Sequence, residues 1–179
     1  SYSESSRAPT PAELSCADPN DPCKLPNGFV SDPPLEQVVA KSVEAGLRGG
    51  SSIRWHAGLF STLNHDDIIF QQAGGLPSEG FFTNVGKTQR QGVELEASTR
   101  MAAVELRAAY TYLRATFETP FTSFSPNNPL GGNRQVAKGD RIPGLPEHIF
   151  KVGMDWRVTG KVRIGGDVQY RGAQYFRGD

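Results

Sequence analysis

Phe150-Lys151-Val152-Gly153-Met154-Asp155-Trp156-Arg157-Val158, then Thr159-Gly160-Lys161, then Val162-Arg163-Ile164-Gly165-Gly166-Asp167-Val168-Gln169-Tyr170 is the stretch on which the fold turns. In the first run Phe150, Val152, Met154, Trp156 and Val158 alternate with Lys151, Gly153, Asp155 and Arg157. In the second, Val162, Ile164, Val168 and Tyr170 alternate with Arg163, Gly165, Asp167 and Gln169. Successive side chains of a strand point to opposite faces. Each run therefore predicts a strand with one apolar face and one charged or small face.

The same period extends outward. Ile53, Trp55, Ala57, Leu59, Ser61 and Leu63 alternate with Arg54, His56, Gly58, Phe60, Thr62 and Asn64. Val93, Leu95 and Ala97 alternate with Glu94, Glu96 and Ser98, and Val104, Leu106, Ala108, Tyr110 and Tyr112 with Glu105, Arg107, Ala109 and Thr111. Leu35–Leu47 is ambiguous: Val38, Val39, Ser42 and Leu47 partly fit a helix, while Val43, Ala45 and Leu47 against Glu44, Gly46 and Arg48 fit a strand. A sheet with one apolar and one charged face either packs on a core or faces lipid outside and water inside.

The connections favour the second. Gly49-Gly50-Ser51, Arg100-Met101-Ala102 and Thr159-Gly160-Lys161 are short, whereas residues 8–34, 72–83 and 121–143 are long and rich in turn formers. Short turns at one end and long loops at the other is the layout of an outer-membrane barrel. Trp55 and Trp156 fall on the apolar face beside short turns, where an interfacial girdle sits, and Tyr110, Tyr112, Tyr170 and Tyr175 lie further toward the long loops.

Composition excludes other classes. The 179 residues carry 19 Lys and Arg against 19 Asp and Glu, so there is no basic footprint for nucleic acid. No run approaches the ~20 apolar residues of a membrane helix, but barrel strands need only about 9–11. The chain opens on Ser1-Tyr2-Ser3 and stops at Gly178-Asp179 just after a strand-like run, which reads as a segment of a longer polypeptide.

The chain resembles the C-terminal barrel of TonB-dependent outer-membrane receptors. The resemblance rests on Arg7-Ala8-Pro9 with Glu13-Leu14, on Glu44-Ala45-Gly46-Leu47-Arg48, and on Asn84-Val85-Gly86 followed by Gly92-Val93-Glu94-Leu95-Glu96. It continues through Tyr110-Thr111-Tyr112 with Ala115-Thr116-Phe117, and Arg141-Ile142-Pro143 with Pro146-Glu147-His148. It implies an all-β, antiparallel, up-and-down segment of a 22-stranded plugged barrel in the bacterial outer membrane. About seven strands in 179 residues scale to roughly 560 residues for a barrel of ~22 strands. Residues 1–179 would then be one barrel segment, with no plug domain and no terminal strand. The implied activity is import of a scarce ligand, an iron–siderophore being the commonest cargo, with cobalamin, haem and oligosaccharides as alternatives. The implied partners are outer-membrane lipid, the extracellular ligand and TonB, the last acting through the N-terminal part. A porin-type barrel and a secreted β-sandwich are the rival readings.

Few residues suggest chemistry. Cys16 and Cys23, separated by turn formers, predict a disulfide in an oxidising exterior, worth roughly 2.5 kcal/mol for so short a loop. Phe81, Phe82, Phe121, Phe124 and Arg134 lie in the long connections and are the candidate ligand contacts. Asn64-His65-Asp66-Asp67 could hold a cation but reads as a polar strand tip entering an outer loop. Gly86-Lys87-Thr88 lacks the upstream glycine of a phosphate loop, since position 81 is Phe81. Glu94 and Glu96 share a face and are expected to line the plug-facing wall, balanced by Arg54, Arg107 and Arg163. No nucleophile elbow or oriented acid–base set is present, so an enzyme, a resident cofactor and a metal centre are not expected.

Overall fold

The computed structural model describes residues 1–14, 23–24, 35–72, 79–124 and 131–175. Its elements run β1 (Tyr2–Arg7), α1 (Pro11–Leu14), β2 (Cys23–Lys24), β3 (Val38–Gly49), β4 (Ile53–His65), β5 (Ile68–Gln72) and β6 (Glu79–Asn84). They continue with β7 (Thr88–Met101), β8 (Val104–Phe117), β9 (Phe121–Phe124), β10 (Asn133–Val136), β11 (His148–Arg157) and β12 (Arg163–Arg171).

The long strands form one seven-stranded antiparallel sheet in the order β1-β3-β4-β7-β8-β11-β12. Each pairs with the next long strand along the chain, which is the up-and-down meander that the alternation predicts. The ambiguous Leu35–Leu47 run resolves as β3, paired on both sides by β1 and β4. Gly46 weighs against a helix there, at about 1 kcal/mol relative to alanine.

Register sorts the side chains into cross-strand rows. Leu47, Ala57, Leu95, Tyr110, Phe150 and Tyr170 lie in one row, on one face. The next residue on each strand gives Arg48, His56, Glu96, Ala109, Lys151 and Gln169, on the other face. A slip of one residue in any strand would exchange the two sets, so the register is strongly fixed.

The apolar face is bare. Leu47 is 72% and Val168 74% exposed, and Val43, Ile53, Leu59, Val152, Met154 and Ile164 are exposed with them. Buried hydrophobic residues among those described are only Val38, Ile68, Val85, Ala115 and Phe117, and they sit at the long-loop end. The accessible area is 11851 Å², against about 8500 Å² for a compact protein of this mass. A sheet that leaves side chains worth about 1.5–3 kcal/mol each on burial facing outward needs an apolar solvent on that side.

Connections alternate as expected. Residues 50–52, 102–103 and 158–162 connect the long strands at one end, and the connections 8–37, 66–87 and 118–147 leave and rejoin them at the other. Gly50 has φ +97°, and a Cβ there would lie 1.7 Å from the carbonyl oxygen of Ile53, so only glycine closes this turn. Trp55 and Trp156 stand on the apolar face at this end, the Trp55 ring lying over Gly49. Toward the other end, the Tyr110 hydroxyl hydrogen-bonds Nδ1 of His148 at 2.9 Å, and the Tyr112 ring lies 5.4 Å from the same imidazole.

The long connections hold more structure than their composition suggests. Thr10-Pro11-Ala12-Glu13 forms a capping box: the Thr10 amide donates to the Glu13 carboxylate at 2.7 Å and the Glu13 amide to the Thr10 hydroxyl at 3.3 Å. Of residues 72–83, read from sequence as loop, 72 and 79–83 lie in a hairpin of β5 and β6 that β2 extends to three strands. Residues 121–143 contain a second hairpin of β9 and β10. Neither hairpin shows the clean two-residue alternation of the wall.

Candidate functional site

Two surfaces can meet something other than lipid: the long-loop end and the charged face. At the long-loop end the β5–β6 hairpin is rooted by Asp67, which is buried. Its carboxylate accepts a short hydrogen bond from the hydroxyl of Thr88, which is fully buried, and bonds at 3.3 Å from both Nη1 and Nη2 of Arg90. The Asn64 side-chain amide donates to it at 3.3 Å. The backbone of Asp67 also closes a ladder with Gly86 and Val85, both bonds 2.9 Å. The His65-Asp66 step is thus the tip of β4 turning into the hairpin, with Asp66 at φ +55°.

Asn84 ties three segments together. Its amide donates to the carbonyl of Asp66 at 2.6 Å and of Glu36 at 3.2 Å, and its oxygen accepts from the Glu36 amide at 2.9 Å. Beside it the two hairpins are joined at their bases: the Lys87 amide donates to the Thr119 hydroxyl at 3.0 Å and the Glu118 amide to the Lys87 carbonyl at 2.8 Å. Residues 139–147 lie along the top of β8, with amide-to-carbonyl bonds from Phe117 to Asp140, Ile142 to Ala115 and Leu113 to Glu147. Arg141 pairs with Glu147 at 2.9 Å and stacks over the Tyr175 ring at 5.7 Å.

The candidate ligand contacts all fall on these hairpins, though on strands where the sequence suggests loop. Phe82 pairs directly with Phe70 across β5 and β6, their rings edge to face at 5.3 Å. Phe81, its neighbour in sequence, takes the opposite side of β6, paired with Gln71. Phe121 packs edge to face on Phe117 at 5.0 Å, at the base of the second hairpin. Phe124 pairs through its backbone with Asn133, and Arg134, half-buried, with Ser123. Phe82 and Phe121 therefore do packing work within the loops, and Phe81 and Arg134 belong to different hairpins. Cys16 lies outside the described residues, and Cys23 is described only through its backbone pairing with Gly80.

The charged face carries ion pairs in cross-strand rows. Arg107 lies over Gly153 and reaches Asp155 at 2.6 Å, Glu105 at 3.6 Å and Asp167, two strands away, at 3.6 Å. A Cβ on Gly153 would sit 2.2 Å from the Asp167 carboxylate, so the absent side chain makes room for this pairing. Arg100 pairs with Glu105. This corrects the expectation that the arginines balance Glu94 and Glu96: both glutamates are on this face, but among the described residues neither makes an ion pair, and Arg107 serves Glu105, Asp155 and Asp167 instead. Glu94 borders a hollow of about 540 Å³ that Gly46 and Gly58 open on the same face beside His56 and Phe60.

What sequence reasoning misses here is the link from Asp67 to Thr88 and Arg90. Its signal is weak, since an Asp at a strand tip is ordinary and its partners lie twenty-one and twenty-three residues on.

Comparison with known proteins now fits this geometry. Among solved structures, the chain is similar to one titled "Copper transporter OprC", at 17% sequence identity and a TM-score of 0.57. The likeness covers 99% of this chain and 32% of that one, so the chain spans about a third of its length. At this identity the likeness concerns the fold alone. A family model described as "TonB dependent receptor-like, beta-barrel" matches residues 1–179. With that match along its whole length, the chain belongs to the TonB-dependent receptor β-barrel family.

Proposed function

We propose that this segment supplies part of the wall and outer loops of a receptor that imports a scarce ligand, an iron–siderophore, across the bacterial outer membrane with energy passed on by TonB. The carrying observation is the sorting of the molecule: one face apolar and bare, the other charged, and the elaborated hairpins at one end only. Lipid covers the first face and a plug, from the N-terminal part of the receptor, fills against the second. The hairpins meet the ligand from outside.

The choice of an organic iron chelate rests on the loop chemistry. Phe81, on the side of β6 opposite the Phe70–Phe82 contact, offers aromatic surface and Arg134 positive charge, which suit a bulky, anionic organic chelate. Among the described residues no three His, Cys, Asp or Glu side chains gather as a naked cation requires. A disulfide between Cys16 and Cys23 would stiffen the first long loop.

Uptake in whole cells tests the reading. Cells carrying the intact receptor are given a panel of radiolabelled iron–siderophores, with cobalamin, haem and copper salts beside them. The expected result is accumulation of one siderophore that disappears when either the receptor or TonB is deleted. Uptake that survives TonB deletion would mean a porin-type barrel. Accumulation of copper or cobalamin instead would overturn the cargo and keep the transporter.

A further inference from the structure

We infer that Arg114 and Gln91 form a seat for the phosphate of an anionic lipid headgroup, on the lipid-covered side of the wall toward its long loops. Every cross-strand row of the apolar face, from the row of Val104 and Trp156 up to the row of Tyr112 and His148, is free of Lys, Arg, Asp and Glu. Along β8 that band runs from Val104 to Tyr112, close to the roughly 9–11 residues of a membrane-crossing strand. The next row on the same face is Tyr2, Val43, Ser61, Gln91 and Arg114. Arg114 is thus the first charge met beyond the band, on the same face as Tyr112 and one step above it, where headgroups replace acyl chains. The inference rests on the outer-membrane reading above.

The protein does not compensate this charge. Among the described residues the Arg114 side chain makes no hydrogen bond or ion pair, and neither does that of Gln91, its direct partner on β7; both are exposed. Arg114 is not on an open edge: β8 is flanked here by β7 and by residues 142–147, whose Ile142 and Glu147 bond to Ala115 and Leu113. The nearby acids are engaged. Glu118 accepts from the Thr116 hydroxyl at 2.9 Å and pairs with Lys138 at 3.3 Å, and Glu147 pairs with Arg141 at 2.9 Å. Lys41, the other cation on the paired rows of this face, stands opposite Glu4, so its charge has a counterpart where that of Arg114 has none. A guanidinium beside hydrocarbon requires an anion from outside the protein, and its fork binds phosphate oxygens in bidentate geometry. Side chains paired on one face start about 4.5–5.5 Å apart, so the Gln91 amide reaches a further oxygen of the same phosphate. Below the pair, Leu59, Val93 and Tyr112 offer an apolar track for acyl chains of the same molecule. Charge and position together name the occupant as a lipid phosphate.

Native mass spectrometry of the intact receptor in detergent, titrated with bisphosphorylated lipid A, tests this. The expected result is retention of lipid A by the wild type, lowered roughly tenfold in R114Q and less in Q91A, with R114K between wild type and R114Q. Lipid A stripped of its phosphates should be retained no better by the wild type than by R114Q. K151Q removes a charge from the opposite face and should bind like the wild type; an equal loss there would show that retention follows net charge, and overturn the inference. Equal retention by wild type and R114Q, with hydrogen exchange of β8 showing both folded, overturns it too. Complete displacement by equimolar inorganic phosphate would mean a free-anion site in place of a lipid seat, and counts against it likewise. Retention that depends on Arg114 supports the seat whatever cargo the receptor imports, so failure of the transport reading is told apart from failure of this one.

Discussion

The carboxylate of Asp67 accepts a hydrogen bond from the hydroxyl of Thr88, a fully buried side chain twenty-one residues further along. The contact joins the tip of β4 to the start of β7 and so closes the base of the β5–β6 hairpin. Arg90, a third exposed, adds its guanidinium to both partners. Removing the acceptor leaves the Thr88 hydroxyl buried with a donor to satisfy, a loss of about 1–3 kcal/mol. Asp67→Ala is therefore expected to speed hydrogen exchange at the Val85 and Ile68 amides while the amides of β8 and β11 keep their protection. Equal exchange at Val85 in the two proteins would show that the backbone ladder to Gly86 holds the hairpin alone.

Val168 and Gln169 are neighbours in β12 that point to opposite faces, and they separate lipid from interior. Val168→Arg places a charge on the bare apolar face and should cost about 2–4 kcal/mol if it lies near the bilayer midplane. Gln169→Arg adds a charge to a face that already carries many, and should stay within about 0.5 kcal/mol. Urea unfolding of the receptor in lipid vesicles, followed by tryptophan fluorescence, gives both numbers. Similar losses for the two variants would mean that β12 does not face lipid.

These faces were legible in the sequence because a strand's period of two is a local property. Met154 and Asp155, or Leu95 and Glu96, declare their sides without knowledge of any partner. Loop sorting was legible for the same reason, since turn residues act where they stand. The hairpins were not: Ile68-Ile69-Phe70-Gln71-Gln72 has no alternation, and its pairing with β6 is set by contacts such as Phe70 on Phe82. The ion pairs of Arg107 were misassigned because they follow cross-strand register, which sequence spacing does not encode. The short helix α1 does carry a local signal, since Thr10-Pro11-Ala12-Glu13 is a capping box with proline at the first helical position.

That box has a pH dependence. The Arg7 guanidinium, bonded to Glu13 at 2.7 and 3.0 Å, holds the Glu13 carboxyl below its ordinary value of 4.5, and hydrogen bonds from Thr10 act in the same direction. A carboxyl lowered in the folded state contributes stability that is present above its ordinary value and lost as pH falls through the lowered one. Arg7 is about half exposed, so the contribution is on the order of 1 kcal/mol or less. Hydrogen exchange at the Leu14 amide, corrected for its intrinsic pH dependence, should be flat from pH 8 to about pH 5 and rise below about pH 4. In Glu13→Gln the same amide should exchange faster at neutral pH and show no acid step.

Ala102 occupies the two-residue turn between β7 and β8 with φ +51°, flanked by the paired Met101 and Val104. A left-handed conformation costs a residue with a Cβ about 1 kcal/mol that glycine does not pay. The tight right-twisted hairpin nevertheless demands it, because turns with positive φ match the twist of the strands they join. Ala102→Gly should therefore raise the stability of the folded receptor by about 0.5 kcal/mol, the relief of strain exceeding the added freedom of the unfolded chain. The adjacent Ala103 is not among the residues with positive φ, so Ala103→Gly gains no relief and should lower stability by a similar amount. Ala102→Val, β-branched at positive φ, should lose more than either glycine variant changes. The urea midpoints of the three variants in vesicles order themselves accordingly, and equal midpoints for Ala102→Gly and Ala103→Gly would remove the strain from the turn.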